Sequence, residues 1–222
     1  DTLHMSRATQ AAYYAAQHRQ NRECRSQSEP GAERDRFRAC EEYYARRALE
    51  TTGDISKRFY FAYLVAVDEG DYDRAAAACD SALACAPPVS HDYARAAFYR
   101  SETERFRGDE AARFEWLVRA AMADVQGAVR DYGALGGVAE ELLRRGDAAR
   151  AMRCIRVAIN DTQAYNSPIR SWRDMAILPQ IEQAYSERNA RLRAMYVALI
   201  LLAFLFALSA IGGVLFVLRQ NR

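Results

Sequence analysis

Lysine is almost absent from the chain, since Lys57 is the only lysine among 31 basic residues. A bias this uniform is typical of genomic base composition rather than of one arginine-rich binding surface. The formal net charge is only +2, so we expect no nucleic acid to bind this portion. Half of the residues are hydrophobic, which excludes a disordered chain and indicates a folded domain.

Paired cysteine motifs are also missing. The five cysteines form no CxxC pair, and no cysteine–histidine cluster has the spacing of zinc ligands. Cys79 and Cys85 are predicted to lie on different sides of one helix, which places them poorly for a disulfide with each other. We expect the cysteines to act as small buried hydrophobic residues, and we expect neither a metal nor a cofactor.

The sequence also lacks the motifs of known catalytic sites. The sequence has no phosphate loop, nucleophile elbow, HExxH motif or kinase signature. The histidines His4, His18 and His91 are scattered along the chain, and we expect His4 and His18 to be exposed near a free end. The acidic pairs are typical of charged helix faces. The sequence therefore predicts that the chain is not an enzyme.

Charge is absent from residues 195–218, a run of 24 residues that begins MYVALILLAF. As a helix with a rise of about 1.5 Å per residue, this run would measure about 36 Å, enough to cross a hydrocarbon core of about 30 Å. We predict a single transmembrane helix here. Arginines flank it on both sides, so the positive-inside rule leaves its orientation open.

Small residues recur four positions apart in this helix, at Ala203 and Ala207 and again at Ser209 and Gly213. Such pairs let two membrane helices approach closely and would support a homodimer. The alternative is that they reflect only the ordinary small-residue content of membrane helices.

A period of 38 residues organises the region before the membrane segment. The pairs Gly70-Asp71, Gly108-Asp109 and Gly146-Asp147 lie 38 residues apart, and each separates an amphipathic stretch from an alanine-rich one. We expect each glycine to adopt the left-handed conformation that ends a helix, and each aspartate to cap the next helix. The sequence contains no strand pattern, so the predicted fold class is all-α.

The alanine-rich half of the first repeat, residues 70–87, resembles the second half of a tetratricopeptide repeat. Ala75, Ala82 and Pro87 occupy the hallmark positions of that motif. Small residues that would let antiparallel helices pack closely recur in the later repeats, at Ala120, Ala151 and Ala158. The pattern predicts a tetratricopeptide-like solenoid of helical hairpins, followed by the transmembrane helix.

The later repeats depart from this pattern. Arg113 replaces an expected small residue, and Gly133, Gly136 and Gly137 should loosen the first helix of the third repeat. A last helix should begin at Pro179 and run into the membrane segment, with a hinge at this junction as the alternative. The helices predicted before it span residues 5–26, 32–51, 55–69, 72–86, 90–107, 110–125, 127–145, 148–164 and 169–178.

These elements divide the chain into five parts. An N-terminal hairpin over residues 1–51, which could be a degenerate repeat, precedes the tetratricopeptide-like repeats over 52–178. A juxtamembrane helix over 179–194, the transmembrane helix over 195–218 and the start of a truncated part over 219–222 follow, and the family resemblance described below implies that this last part is cytoplasmic. The chain begins without methionine and ends four residues after the apolar run, so we expect truncation at both ends.

A helical-repeat domain offers a concave surface lined by the first helix of each pair. Arginine and aromatic side chains there can stack on, and hydrogen-bond to, a peptide or a sugar. By position relative to each glycine, the predicted ligand- or partner-binding residues are Lys57, Tyr60, Arg95, Phe98, Glu102, Arg105, Glu140 and Arg144. The alternative for each is a structural role, with the rings in the core and the charges in solvent.

From about Ala120 onward the sequence resembles a family of Bacteroidetes membrane-anchored tetratricopeptide-repeat regulators, the SusR-like type. The matching stretch begins AAMADVQGAV at Ala120, reaches PQIEQAY at Tyr185 and continues into the apolar segment. The first 50 residues carry no recognisable signal of the family. The positions that fit its pattern are Ala123-Asp124, Gly146-Asp147, Asp161, Asn166, Arg170 and Ile177-Leu178-Pro179.

This resemblance implies a periplasmic repeat domain, one crossing of the bacterial inner membrane and a cytoplasmic output that regulates transcription. The chain would then be the sensing and anchoring portion, which binds a protein or peptide partner or a glycan-type ligand. The alternative is a membrane-tethered scaffold whose repeats lie in the cytoplasm and recruit protein partners without any signalling output.

Overall fold

The computed structural model describes residues 5–127, 133–164 and 168–221, and these ranges contain helices and no strand. His4, residues 128–132, Asn166, Ser167 and Arg222 lie outside the described residues. The predicted all-α fold class is confirmed for the described part of the chain. Its helices are α1 (Arg7–Gln27), α2 (Ala32–Thr51), α3 (Ile55–Asp68), α4 (Tyr72–Cys85), α5 (His91–Arg107), α6 (Glu110–Gln126), α7 (Gly133–Arg144), α8 (Ala148–Ala164) and α9 (Pro168–Gln220).

The helices pack as hairpins stacked in one direction. α1 packs with α2, α3 with α4, α5 with α6 and α7 with α8, and each hairpin packs on the next. α9 then packs on α8 and, less extensively, on α7. This nearest-neighbour arrangement is that of a tetratricopeptide-like solenoid. The domain boundaries drawn within it remain a prediction.

The three Gly-Asp pairs form the same turn. Gly70, Gly108 and Gly146 have φ angles of 72°, 78° and 79°, the left-handed region that glycine adopts without a Cβ clash. In each turn the aspartate N–H donates to the carbonyl five residues earlier, the bond that closes a Schellman motif. The aspartate side chains accept from the next helix, as Asp71 does from the Arg74 N–H at 2.9 Å. The predicted helix ends and N-caps are confirmed.

Close packing between helices depends on residues with little or no side chain. Fully buried alanines at the repeat positions are Ala75, Ala120, Ala151 and Ala158. Gly137 acts in the same way, since a Cβ at this position would lie 3.2 Å from Leu117 Cδ2 of α6. α7 contains all three glycines and begins at Gly133 rather than at residue 127, and the prediction that the glycines loosen this helix stays a prediction.

α9 is one helix of 53 residues with two different environments. Its first part docks on the repeats through Ile177, Ile181 and Tyr185, and Ile181 is fully buried. Side chains at residues 190–213 are exposed, and this part of α9 is long and apolar enough to cross a membrane. The predicted helix start at Pro179 is wrong, since Pro179 lies inside α9, whose side chains on either side, Ile177, Leu178 and Ile181, pack on the repeats and offset the lost N–H bond.

Candidate functional site

The first helices of three successive hairpins, α1, α3 and α5, meet around Tyr60 of α3. Arg22 of α1 donates a hydrogen bond to the Tyr60 hydroxyl at 3.2 Å. From α5, the Arg95 guanidinium carbon lies 5.8 Å from the centre of the Tyr60 ring, and the centre of the Tyr99 ring lies 5.5 Å from it. The three helices therefore share one face, as the first helices of tetratricopeptide hairpins do.

A cavity of about 250 Å³ opens beside Tyr60, between α3, α4 and α5. The rings of Phe59, Tyr60, Tyr63 and Tyr99 form much of its wall, from α3 and α5. α4 presents small side chains here, among them Ala82 at a hallmark repeat position. The space exists because these small residues of α4 do not fill the volume between the rings.

The polar edge of the cavity is an ion pair on α5 that reaches across to α3. Arg95 Nη2 donates to Asp92 Oδ1 at 2.6 Å and to Ser56 Oγ at 2.8 Å. Asp92 lies in the first turn of α5, which Ser90 caps by accepting from the Tyr93 N–H. The Arg95–Asp92 pair is therefore held in place by both helices and adds no net charge to the cavity.

Three buried titratable groups in the wall, Tyr60, Tyr63 and Cys79, are neutral at physiological pH. Burial raises the pKa of both Tyr60 and Tyr63 far above the ordinary value of 10, and burial raises the pKa of the Cys79 thiol to about 12. The wall can thus pack against a ligand and hydrogen-bond to it without adding charge. Across the described ranges, the cavity included, no group of three or more His, Cys, Asp or Glu residues could hold a metal ion.

The family model described as the SusR N-terminal TPR domain matches residues 1–175 of the 222. The chain belongs to this family. The match covers α1 to α8 and every residue around the cavity of this SusR-type domain. No curated protein and no solved structure matches the chain.

The SusR-type domain extends further towards the N-terminus than the recognisable residues indicate. The resemblance is readable from about Ala120, whereas the family match begins at residue 1 and so includes α1 and α2. What ties this first hairpin to the repeats is packing, because Tyr14, Ala48 and Phe61 form one buried cluster with their neighbours. Contacts between α1, α2 and α3 leave no short motif in the sequence.

Two of the eight predicted binding residues, Tyr60 and Arg95, line the cavity of the SusR-type domain. Phe59, Tyr63 and Tyr99 line it as well and were not predicted. Helical spacing could have identified two of them, since Tyr63 follows Tyr60 by three residues and Tyr99 follows Arg95 by four. The role of these residues in binding remains a prediction.

The other six predicted residues lie outside the cavity. Phe98 packs against the hydrophobic core, and Glu140 is exposed on α7. The remaining four take part in ion pairs, Lys57–Asp54 at 3.6 Å, Glu102–Arg105 at 2.7 Å and Arg144–Glu141 at 2.7 Å. None of these six side chains lines the cavity, although Glu102 and Arg105 lie close enough to the cavity residue Tyr63 to affect its pKa, and a shared binding surface remains a prediction.

His18, which we predicted to be exposed, is only 3% exposed. Its ring meets Phe61 edge to face with 5.5 Å between ring centres, and its Nε2 lies 3.8 Å from a carboxylate oxygen of Glu41. The prediction is wrong because α3 covers the α1–α2 hairpin, a contact that the local sequence does not reveal. Burial lowers the pKa of His18 below 6.5, although Glu41 opposes this shift.

We expect the free energy of unfolding of the SusR-type domain to fall as the pH decreases below about 6.5. The folded-state pKa of His18 is the lower one, so the unfolded chain takes up the proton first and gains stability on acidification. Arg19, Arg22 and Arg25 disfavour the imidazolium, and Glu41 favours it. Urea melts between about pH 7 and pH 5 test this against a His18→Gln variant, which should lose this component.

The urea melts of the wild-type chain and the His18→Gln variant can also give the opposite result. If acidification stabilises the wild-type chain relative to the His18→Gln variant, the attraction between His18 and Glu41 outweighs burial, and the folded-state pKa is raised instead.

Proposed function

We propose that the chain is the sensing and anchoring portion of a membrane-anchored regulator. The SusR-type domain lies in the periplasm and binds a ligand or a protein partner, and α9 crosses the inner membrane once. The C-terminal end of α9 faces a cytoplasmic output that regulates transcription. The domain acts by binding rather than by catalysis. Membership of the SusR N-terminal TPR domain family supports this proposal.

The observation that carries the proposal is that one helix belongs both to the repeat domain and to the apolar segment. Ile181 is fully buried against the repeats, whereas Ile211, farther along the same helix, is 57% exposed within the apolar part. Near the junction, Arg188 of α9 lies 3.7 Å from Asp147, the residue that precedes α8. A movement of α8 would therefore shift or rotate the membrane segment.

Membrane topology tests the proposal, and two cysteines on opposite sides of the apolar segment can report it. Cys85 is exposed in the repeat domain, and a Gln220→Cys variant provides the second position. The chain that reports Cys85 and the chain that reports position 220 both carry Cys24→Ala, Cys40→Ala and Cys154→Ala, the second also carries Cys85→Ala, and Cys79 is buried. A membrane-impermeant maleimide should label Cys85 in intact cells, and it should label position 220 only after lysis.

The labelling experiment needs a control for the signal from Cys85. A Cys85→Ala chain with the same background substitutions should remain unlabelled, which shows that the signal comes from Cys85. Labelling of Cys85 only after lysis would put the repeats in the cytoplasm and refute the sensor proposal. A membrane-tethered scaffold that recruits protein partners would then be the better account of the same cavity.

A further inference from the structure

The cavity of the SusR-type domain has room for one ring-sized group. Its volume of about 250 Å³ exceeds the roughly 150 Å³ of an apolar cavity that binds benzene. It falls below the range of about 300–1,000 Å³ typical of pockets that enclose a drug-sized ligand. An oligosaccharide chain would therefore extend well beyond these walls, whereas a single aromatic ring would be enclosed.

The walls match such a ring in chemistry as well as in size. The Tyr63 and Tyr99 rings stack with 4.6 Å between their centres and 27° between their planes, and the Tyr60 ring is tilted against Tyr99. Aromatic side chains prefer offset-stacked or edge-to-face neighbours, and this cluster leaves an open position beside it. A further ring entering the cavity would complete the arrangement.

Arg22, which contacts the cavity residue Tyr60, has no carboxylate of a described residue within ion-pair distance, although the nearby Glu41 helps to raise its pKa. Arg95 is neutralised by Asp92, and Arg25 is paired with Glu41 at 2.6 Å. Arg22 instead donates to the Tyr60 hydroxyl, which is neutral, and forms no ion pair with a described residue. A guanidinium carries five N–H donors, so Arg22 keeps donors for an anion next to Tyr60 beyond those that the Tyr60 and Tyr99 hydroxyls engage.

From these observations we infer that the cavity binds an aromatic carboxylate, with the ring among Tyr60, Tyr63 and Tyr99 and the carboxylate on Arg22. The carboxylate can belong to a free aromatic acid or to the C-terminal residue of a peptide that ends in an aromatic residue. This inference rests on the proposed function only in assigning ligand binding to the SusR-type domain, and it does not depend on membrane orientation.

Isothermal titration calorimetry on the full chain in lipid nanodiscs tests the inference. The probes are 3-phenylpropionate and the peptide Gly-Gly-Gly-Phe, each compared with its primary amide. Arg22→Gln should weaken binding of the acids roughly tenfold or more, because one charge-assisted contact is lost. The same substitution should leave the weaker binding of the amides almost unchanged. Arg58→Gln, on the exposed surface of α3 and outside the cavity, is the matched control and should not weaken the acids.

A second readout locates the bound probe. Cys85 lines the cavity and is exposed, so an occupied cavity should slow its reaction with a bulky maleimide several-fold. This measurement uses the chain that carries Cys24→Ala, Cys40→Ala and Cys154→Ala. Protection that disappears with Arg22→Gln, but not with Arg58→Gln, would place the carboxylate at Arg22.

The binding results distinguish a free aromatic acid from a peptide C-terminus, and together with the labelling results they distinguish this inference from the sensor proposal. Binding of only the free acid, or of only the peptide, supports the inference and identifies the source. Equal binding of acid and amide, no binding of either acid, or tight binding of a neutral disaccharide that ignores Arg22→Gln overturns it. Acid binding by a domain that labels as cytoplasmic would refute the sensor proposal and leave this inference standing.

Discussion

Replacement of Ile181 by alanine is expected to lower the free energy of unfolding of the SusR-type domain by about 2–5 kcal/mol. Ile181 is fully buried, and it belongs to the core that α7 and α8 share with α9. Truncation removes apolar contacts and leaves a cavity that a close-packed helix interface cannot fully close. Denaturant melts of the full chain in detergent micelles measure the change.

Met175→Ala provides the matched control, since Met175 lies on the same helix and is 51% exposed. This substitution should change the free energy of unfolding by less than about 0.5 kcal/mol. Hydrogen exchange should also show earlier opening of the Ile181 region in the Ile181→Ala variant alone. Equal effects of the two substitutions would mean that α9 is not docked on the repeats as the structure has it.

The turns of the SusR-type domain were predictable because they depend on short-range chemistry. A left-handed glycine followed by an N-capping aspartate is determined within about six residues, and the spacing of Gly70, Gly108 and Gly146 repeats that local unit. Alanine at the packing positions follows the same logic, because a small residue is required wherever two helices approach closely.

The cavity was predictable only in part. Helical register placed Tyr60 and Arg95 on first helices, yet the open volume depends on the small residues that α4 presents opposite them, such as Ala82. Arg22 reaches Tyr60 from 38 residues earlier in the chain. Register indicates the direction of a side chain but not its neighbour across a hairpin, so this contact requires the tertiary structure.

The errors at Pro179 and His18 have a common physical cause. Proline is favoured in the first turn of a helix, and His18 was expected to be exposed because it lies near a free end of the chain, and both expectations consider only the local chain. In the structure, docking of α9 on α8 keeps the helix continuous through Pro179, and α3 covers His18. Tertiary packing overrides local preference at both positions.

The second large effect is expected at Glu104, whose replacement by alanine should lower the free energy of unfolding by about 3 kcal/mol. Glu104 is only 5% exposed, and its carboxylate accepts from Arg100 and, at 3.1 Å, from Arg107. Without it, two mostly buried guanidinium groups lose the carboxylate they share, and the acidic partners that remain are Asp80 for Arg100 and Asp73 for Arg107, which also donates to the Tyr72 carbonyl. Breaking one side of a buried charge network leaves the other side uncompensated.

Thermal and denaturant melts of a double variant separate this network from simple loss of a side chain. Arg100→Met combined with Glu104→Leu removes both charges and keeps the volume, so it should recover most of the stability that Glu104→Ala loses. Glu115→Ala is the surface control, because Glu115 and Arg119 are both exposed at 2.5 Å separation and should contribute less than about 1 kcal/mol. A double variant no more stable than Glu104→Ala would mean that Glu104 acts through local packing rather than by neutralising Arg100.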